Sequence, residues 1–547
     1  MGAGPTTTRG CGRRKSDWIL FCLVVLCYGY FHGGGWHNQN SRFDAIVAFV
    51  EPGTTDQWTF RIDRFMRDPS GRLLEPTARG GNTMDWSWYP PEGRAHPDLT
   101  AGEIQGHYYS NKAPGGILLG IPVYAALFHG ERLLGVDPLA ATPVEVNLYL
   151  VNLFVSVLIV ASGIVVFRRL LGLLGTGARR ALALALVLAF CTLLFPYSTM
   201  LWGHPTAAAF VIMALYGAIR DTPRGLAAAG FFVGLAVLCD YLAILVVLAF
   251  GLWIVARRPR SIGWYALGGI VPLVAFAAYH WACFGSPFVT AMSFTQPDFI
   301  ADGHVLGLFG PFSVSHFFAI LASRYRGVLL HMPVLLLSVV ALVFWLRRRP
   351  TDRLAWMCLA MMGGFLVINA TFNGWHGGTV VGARYQMLAL PFWVLALKEL
   401  PWEGLWRPAT VILVGVSAFN MLAIAAVSPM SLPWSPDGSD PATSPQYYNP
   451  FWTPGEPSPR AGAGQPSAQH PLFYDSLYGY TYLQFWSGRL AAQAIERLLF
   501  LRINGAAMWR PTNAGMLLGL PGLTSLVPLI LAGGLGVWLL WRRLVPG

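Results

Sequence analysis

The string Gly106-His107-Tyr108-Tyr109-Ser110-Asn111-Lys112-Ala113-Pro114-Gly115-Gly116 is the most specific in the chain. Lys112 is one of only three lysines among 547 residues, and it stands directly before an apolar stretch. A lysine there is a compact cation suited to a phosphate oxygen; the plainer alternative is an interfacial anchor. Ser323-Arg324-Tyr325-Arg326-Gly327 offers two arginines at the mouth of another apolar run, and Asn373 to Tyr385 holds Trp375, His376, Arg384 and Tyr385 among four glycines. Arginine grips phosphate bidentately, glycines allow close backbone approach, and the aromatic faces can stack on sugar rings. Lys112, Arg324, Arg326 and Arg384 therefore form a candidate set for a lipid-borne phosphate.

A reaction at such a phosphate needs a proton acceptor. Asp44 lies in Asn38-Gln39-Asn40-Ser41-Arg42-Phe43-Asp44, where Phe43, Ile46, Val47, Phe49 and Val50 predict an amphipathic helix beside the membrane. A carboxylate there could take a proton from an acceptor hydroxyl, or simply flank a surface helix; Asp63 and Asp85 are the alternates. Leu201-Trp202-Gly203-His204-Pro205 and Asp240-Tyr241 place a further histidine and carboxylate at the ends of apolar runs, where a charge is costly and functional by default. Arg42, His107, Tyr109, Trp202, His204, Asp240, Trp375, His376 and Tyr385 are the candidate substrate contacts. His204 and His376 are lone histidines, so no metal site is expected. No nucleophile elbow, zincin helix or phosphate loop appears, and no cofactor is expected.

The elements that must hold these residues lie in a membrane. The chain is 54% hydrophobic and 12% charged, against about 25% charged in an ordinary soluble domain. Its net charge of +12 comes in short basic clusters between apolar runs, which argues against nucleic acid. The cysteines show no paired spacing, so neither a disulfide framework nor a zinc site is read. Twelve spans are expected, near 17–32, 146–168, 180–199, 206–220, 225–240, 241–256, 262–283, 327–346, 354–371, 387–400, 408–428 and 516–541, the first a retained signal anchor. With both termini cytoplasmic, nearly every tight arginine cluster falls on the cytoplasmic side. The candidate residues then lie outside. This orientation requires 114–130 to be a helix in the outer interface rather than a crossing. The organisation expected is a cytoplasmic start (1–16), a transmembrane module (17–428) with outer loop 33–130, a Pro/Gly-rich then aromatic outer segment (429–515, helical from about 484 to 502), and a last span (516–547). No internal repeat is found, which weakens a repeat-built carrier.

These strings resemble the GT-C-fold integral membrane glycosyltransferases, in particular the bacterial relatives of the protein O-mannosyltransferases and the lipid A aminoarabinose transferases. Lys112-Ala113-Pro114-Gly115 is similar to the family's Lys-Pro-Pro-Gly string, and Arg42-Phe43-Asp44-Ala45-Ile46-Val47 to its Arg-Tyr-Ala-containing helix. The resemblance implies an all-α polytopic membrane fold with a large first outer loop. It implies transfer of a sugar, with inversion, from a polyprenyl-phosphate donor to a glycan, lipid or protein acceptor at the outer face of the cell membrane. The family's acidic residue stands three positions before that arginine, where this chain has Gln39. An amide is no base. Either Asp44, Asp63 or Asp85 takes the role, or the chain is a non-catalytic scaffold of the same fold; a lipid or solute transporter is the other alternative.

Overall fold

The structure is a computed structural model and describes residues 8–34, 37–52, 58–67, 71–74, 81–89, 106–295, 300, 303–378, 380–430, 481–486 and 513–544. It is mostly helical. Among the described residues five helices are long and apolar enough to cross a membrane: Thr142–Leu173, Pro259–Phe284, Arg353–Thr371, Trp406–Val427 and Gly522–Arg543. Pro223–Cys239 and Tyr241–Arg257 are shorter apolar helices. Other expected spans are broken for visible reasons. The run 327–346 is interrupted at Met332-Pro333, since proline lacks the N–H that continues a helix: one turn, Val328–His331, precedes the break, and after a 3-10 turn the α-helix resumes from Leu336 to Arg348. The run 387–400 is a helix of seven residues, Leu390–Ala396, between two 3-10 turns. The expected helix at 484–502 falls largely outside the described residues.

The chain divides into two compact units, one of residues 1–189, 197–302 and 492–547, the other of 190–196 and 303–491. In the first, α1 (Thr8–Gly29) meets α5 (Leu158–Leu173) at one end through Asp17, whose carboxylate accepts from Arg168 at 2.6 Å and Arg169 at 2.8 Å. At the other end Ala514 N donates to Tyr30 O at 2.9 Å, and in the last helix, Val527–Leu544, Gly533 faces Cys27 and Gly536 faces Leu23, so it runs antiparallel to α1. α4 (Ala141–Asn152) continues into α5 through one π turn, Leu153–Val157.

α2 (His37–Val50) departs from the amphipathic expectation, because nearly its whole surface is buried. Its apolar half, with Phe43, Ile46 and Val47, joins Tyr124, Phe128 and Leu148 in a core shared with the neighbouring strands. Its polar half, Asn38 to Arg42, is buried because side chains and loops meet its hydrogen-bonding groups. The strands are β1 (Trp86–Tyr89) and β2 (His107–Ser110), antiparallel, with Trp86 opposite Ser110 and Tyr89 opposite His107. That register puts Asp85, one residue before β1, beside Asn111, whose N donates to Asp85 O at 3.4 Å. α3 (Gly115–Leu133) spans the stretch whose position decides the orientation. It is one continuous helix with Pro122 inside, and it lies outside the five candidate spans.

The second unit is built on Val314–Ala322, Leu336–Arg348, Arg353–Thr371, Leu390–Ala396 and Trp406–Val427, around a core that includes Trp345, Phe365 and Trp393.

Candidate functional site

Helical spacing puts His37 and Ser41 on one face of α2, and Asn38 and Arg42 on the next. The first face meets Asp85 and Lys112. Ser41 Oγ donates to Asp85 O at 2.5 Å and lies 2.6 Å from Ser110 Oγ, which in turn accepts from Lys112 N at 3.2 Å. Thr83 Oγ1 donates to His37 O at 2.6 Å, and Met84 N donates to His37 Nδ1 at 3.1 Å. With Nδ1 an acceptor, the neutral ring carries its proton on Nε2. Burial, reinforced by the Lys112 ammonium and opposed by Asp85, holds the His37 imidazole below its ordinary pKa. Lys112 Nζ sits 2.9 Å from Asp85 Oδ1, with side-chain exposures of 17% and 14%. This is an ion pair on a hydrogen-bonded floor that still reaches the surface.

The three candidate carboxylates have separate surroundings. Asp44 is fully buried, and Asn82 Nδ2 donates to both its oxygens at 2.8 and 3.0 Å. Burial pushes its carboxyl well above the usual range, against the Asn82 bond and the more distant Arg64. An acceptor hydroxyl has no path to it in this arrangement. Asp63 accepts from Tyr108 N and meets His107 Nδ1, each at 2.7 Å, which ties β2 to the turn at 62–66. Asp85 alone of the three is paired with a cation at the surface.

The second face of α2 points elsewhere. Arg42 Nη1 donates to Asn38 O at 2.9 Å and to Asn38 Oδ1. Its guanidinium runs past Gly116 and Gly203: a Cβ at Gly116 would lie 3.1 Å from Arg42 Cδ, and one at Gly203 would lie 2.0 Å from Cys239 O and 3.2 Å from Arg42 Nη2. Only glycine permits that approach. Beyond it, His204 Nδ1 meets Asp240 Oδ2 at 2.5 Å, and Asp240 Oδ1 accepts from Leu242 N at 3.0 Å. Gln39 donates through Nε2 to Gly34 O and accepts at Oε1 from Leu201 N at 3.0 Å. Trp202 is buried at the edge of the His204 ring. Tyr109 is a core residue rather than a surface platform: it meets the Phe284 ring edge-on at 5.4 Å, and burial raises its hydroxyl to about 12. An apolar cavity of about 150 Å³ opens beside Gly115, lined by Leu118, Leu119, Leu235, Leu238, Cys239 and Ala275.

In the second unit Arg326 is buried and turned inward. Its Nε donates to His376 O at 2.5 Å, Nη2 to Gly378 O at 2.5 Å, and Nη1 to Val380 O, while the guanidinium lies 3.8 Å from the Tyr325 ring centre. It folds the loop. Trp375 is buried and stacks on His316 at 4.8 Å. His376 Nδ1 accepts from Gly378 N at 3.0 Å. Burial together with Arg326 and Arg384 holds its imidazole neutral, down to about 3. Arg384 is half-buried, with Nη2 3.0 Å from Tyr385 Oη, and Arg324 is exposed. A side chain at Gly377, φ +73°, would be strained, and its Cβ would lie 2.9 Å from Arg384 Nε.

The first unit thus joins Asp85 to Lys112 and His204 to Asp240; the second joins Arg326, Trp375, His376, Arg384 and Tyr385. His37, Ser41, Asn82 and Ser110 were not expected at the site. Among the described residues no three His, Cys, Asp or Glu side chains converge as a metal site would require. The fold defines the class: a helical membrane protein. No family model and no curated protein matches the chain.

Proposed function

We propose that this chain is a membrane glycosyltransferase of GT-C type, with twelve crossings, cytoplasmic termini and its reaction at the outer face. The observation that carries the proposal is the Lys112–Asp85 pair, 2.9 Å apart and partly exposed, at the start of α3. Asp85 aims the ammonium. Three residues further on, Gly115 borders the apolar cavity. A cation for a phosphate beside an apolar slot for the first isoprene units suits a lipid-phosphate sugar.

In the proposed step the acceptor oxygen bonds to the anomeric carbon from the face opposite the phosphate. The carbon–oxygen bond to phosphate breaks, its electron pair leaves on the phosphate, and Lys112 stabilises that charge. Such preorganised cations are often the largest catalytic contribution. Arg324 and Arg384 are proposed as cations for an anionic lipid headgroup. The Asp17 contacts to Arg168 and Arg169 favour the orientation, because they bring the start of α1 and the end of α5 to one side.

A second reading, a non-catalytic scaffold, is favoured by one observation: Gln39 spends both ends of its amide on backbone. The experiment that decides is release of label from a panel of radiolabelled polyprenyl-phosphate sugars by the purified chain in vesicles. Turnover that falls on the order of 10²–10³-fold in Lys112→Ala supports the transferase. Absence of turnover with every donor, while the protein remains folded, supports the scaffold.

A further inference from the structure

Resting on the transferase reading, we propose that the His204–Asp240 pair supplies the base that takes the proton of the acceptor hydroxyl. His204 would act through Nε2, and Asp240 and Gln39 would be positioning residues.

The geometry has three parts. First, His204 Nδ1 lies 2.5 Å from Asp240 Oδ2. An ionised carboxylate only accepts, so Nδ1 carries the hydrogen and Nε2 is the basic nitrogen. A base oriented by a third group is the arrangement that activates hydroxyl nucleophiles on unrelated folds. Second, Asp240 is itself fixed. Its other oxygen accepts from Leu242 N at 3.0 Å, and its side chain is 6% exposed against 15% for His204. The imidazole is therefore the member of the pair that reaches outward, and the carboxylate stands behind it. Third, Gln39 occupies the position where the resemblance implies a carboxylate. Its Oε1 accepts from Leu201 N at 3.0 Å, three residues before His204, while its Nε2 donates to Gly34 O. A carboxylate could accept from Leu201 but not donate to Gly34. The amide braces the turn that presents His204, and the proton-accepting role moves along that turn to the histidine.

Arg42 connects this pair with the phosphate cation. It reaches Gly203 on one side and Gly116, four residues after Lys112, on the other. On the same helix, Ser41 holds the Asp85 carbonyl. In the step proposed, the acceptor O–H proton passes to His204 Nε2 as the acceptor oxygen bonds to the anomeric carbon. The phosphate leaves with the bond's electron pair. The imidazolium, stabilised by Asp240, then returns its proton to water or to the departing monophosphate, whose second pKa is about 6.

The test uses the full chain in vesicles with the labelled donors and a hydroxyl acceptor. His204→Gln is expected to lower kcat by on the order of 10²-fold or more while donor binding, read by equilibrium capture of labelled lipid, stays within about twofold. Added imidazole should restore a measurable part of the activity of His204→Ala. Asp240→Asn should lower kcat by roughly 10-fold or more, since the amide no longer fixes the tautomer, and Asp240→Glu should recover part of it. Wild-type turnover with an undiminished His204→Gln, or a His204→Ala deficit that imidazole does not relieve, overturns the base assignment and leaves the transferase standing. No wild-type turnover with any donor overturns the transferase reading itself.

Discussion

Replacing Arg326 should open the loop that carries Trp375 and His376 while leaving the unit's helices folded. The side chain donates to the carbonyls of His376, Gly378 and Val380, and nothing else described could replace all three donors. Hydrogen bonds from a charged donor contribute about 1.5–3 kcal/mol each, so three set an upper bound of about 5–9 kcal/mol. Gly378 is exposed, and its carbonyl can rehydrate. The loss expected in Arg326→Met is therefore about 3–4 kcal/mol, near the upper end for single substitutions. The assay is amide hydrogen exchange in a detergent or lipid disc. Gly377 N, Gly378 N and Val380 N are bonded inside the loop, and Val381 N donates to Pro429 O at 2.9 Å. At 1.4 kcal/mol per decade, their protection should fall on the order of 10²–10³-fold. Arg326→Lys should recover little, because one ammonium cannot reach three diverging carbonyls. Exchange within about threefold of wild type in either variant would refute the bracing role and return Arg326 to the list of phosphate-binding cations.

His376 has a pKa lowered to about 3 in the folded chain against an ordinary 6.5. The unfolded state therefore binds the proton first, and this stabilisation, complete above about pH 6.5, is lost as pH falls toward 3; His376→Asn should flatten that part of the thermal-stability curve against pH. Asp44 shifts the opposite way, raised well above 3.8 by burial. Its ionisation favours the unfolded chain, so stability drops as pH rises from about 4 toward the folded pKa, and Asp44→Asn should make melting less dependent on pH there. Gly203→Ala should cost on the order of 3 kcal/mol or more through overpacking, because its Cβ would lie 2.0 Å from Cys239 O; a melting temperature within a degree of wild type would contradict the close approach.

The apolar runs and the aromatic core around α2 were legible because burial leaves a periodic trace. Phe43, Ile46 and Val47 repeat at helical spacing, and all three are buried. The amphipathic reading failed at Asn38 to Arg42, because polar residues read as solvent-facing until their partners are known, and those partners lie at Gly34, Asn82, Asp85 and Leu201. Asp85 and Lys112 are 27 positions apart, and no local spacing joins them; the pairing of β1 with β2 does. Arg326 was read as a surface cation because a boundary arginine looks the same in sequence whether it faces lipid or three carbonyls.

Position 39 shows how such partners change the chemistry of a fold. A carboxylate there would have to leave Gly34 O without its donor, which costs about 1–3 kcal/mol when the group is buried. The amide avoids that cost and still accepts from Leu201 N. Gln39→Glu therefore tests which role the position serves. If position 39 braces His204, the glutamate variant loses stability and kcat together while donor capture is kept. If position 39 is the natural seat of the base, the glutamate variant gains rate instead, and the His204 assignment falls with it.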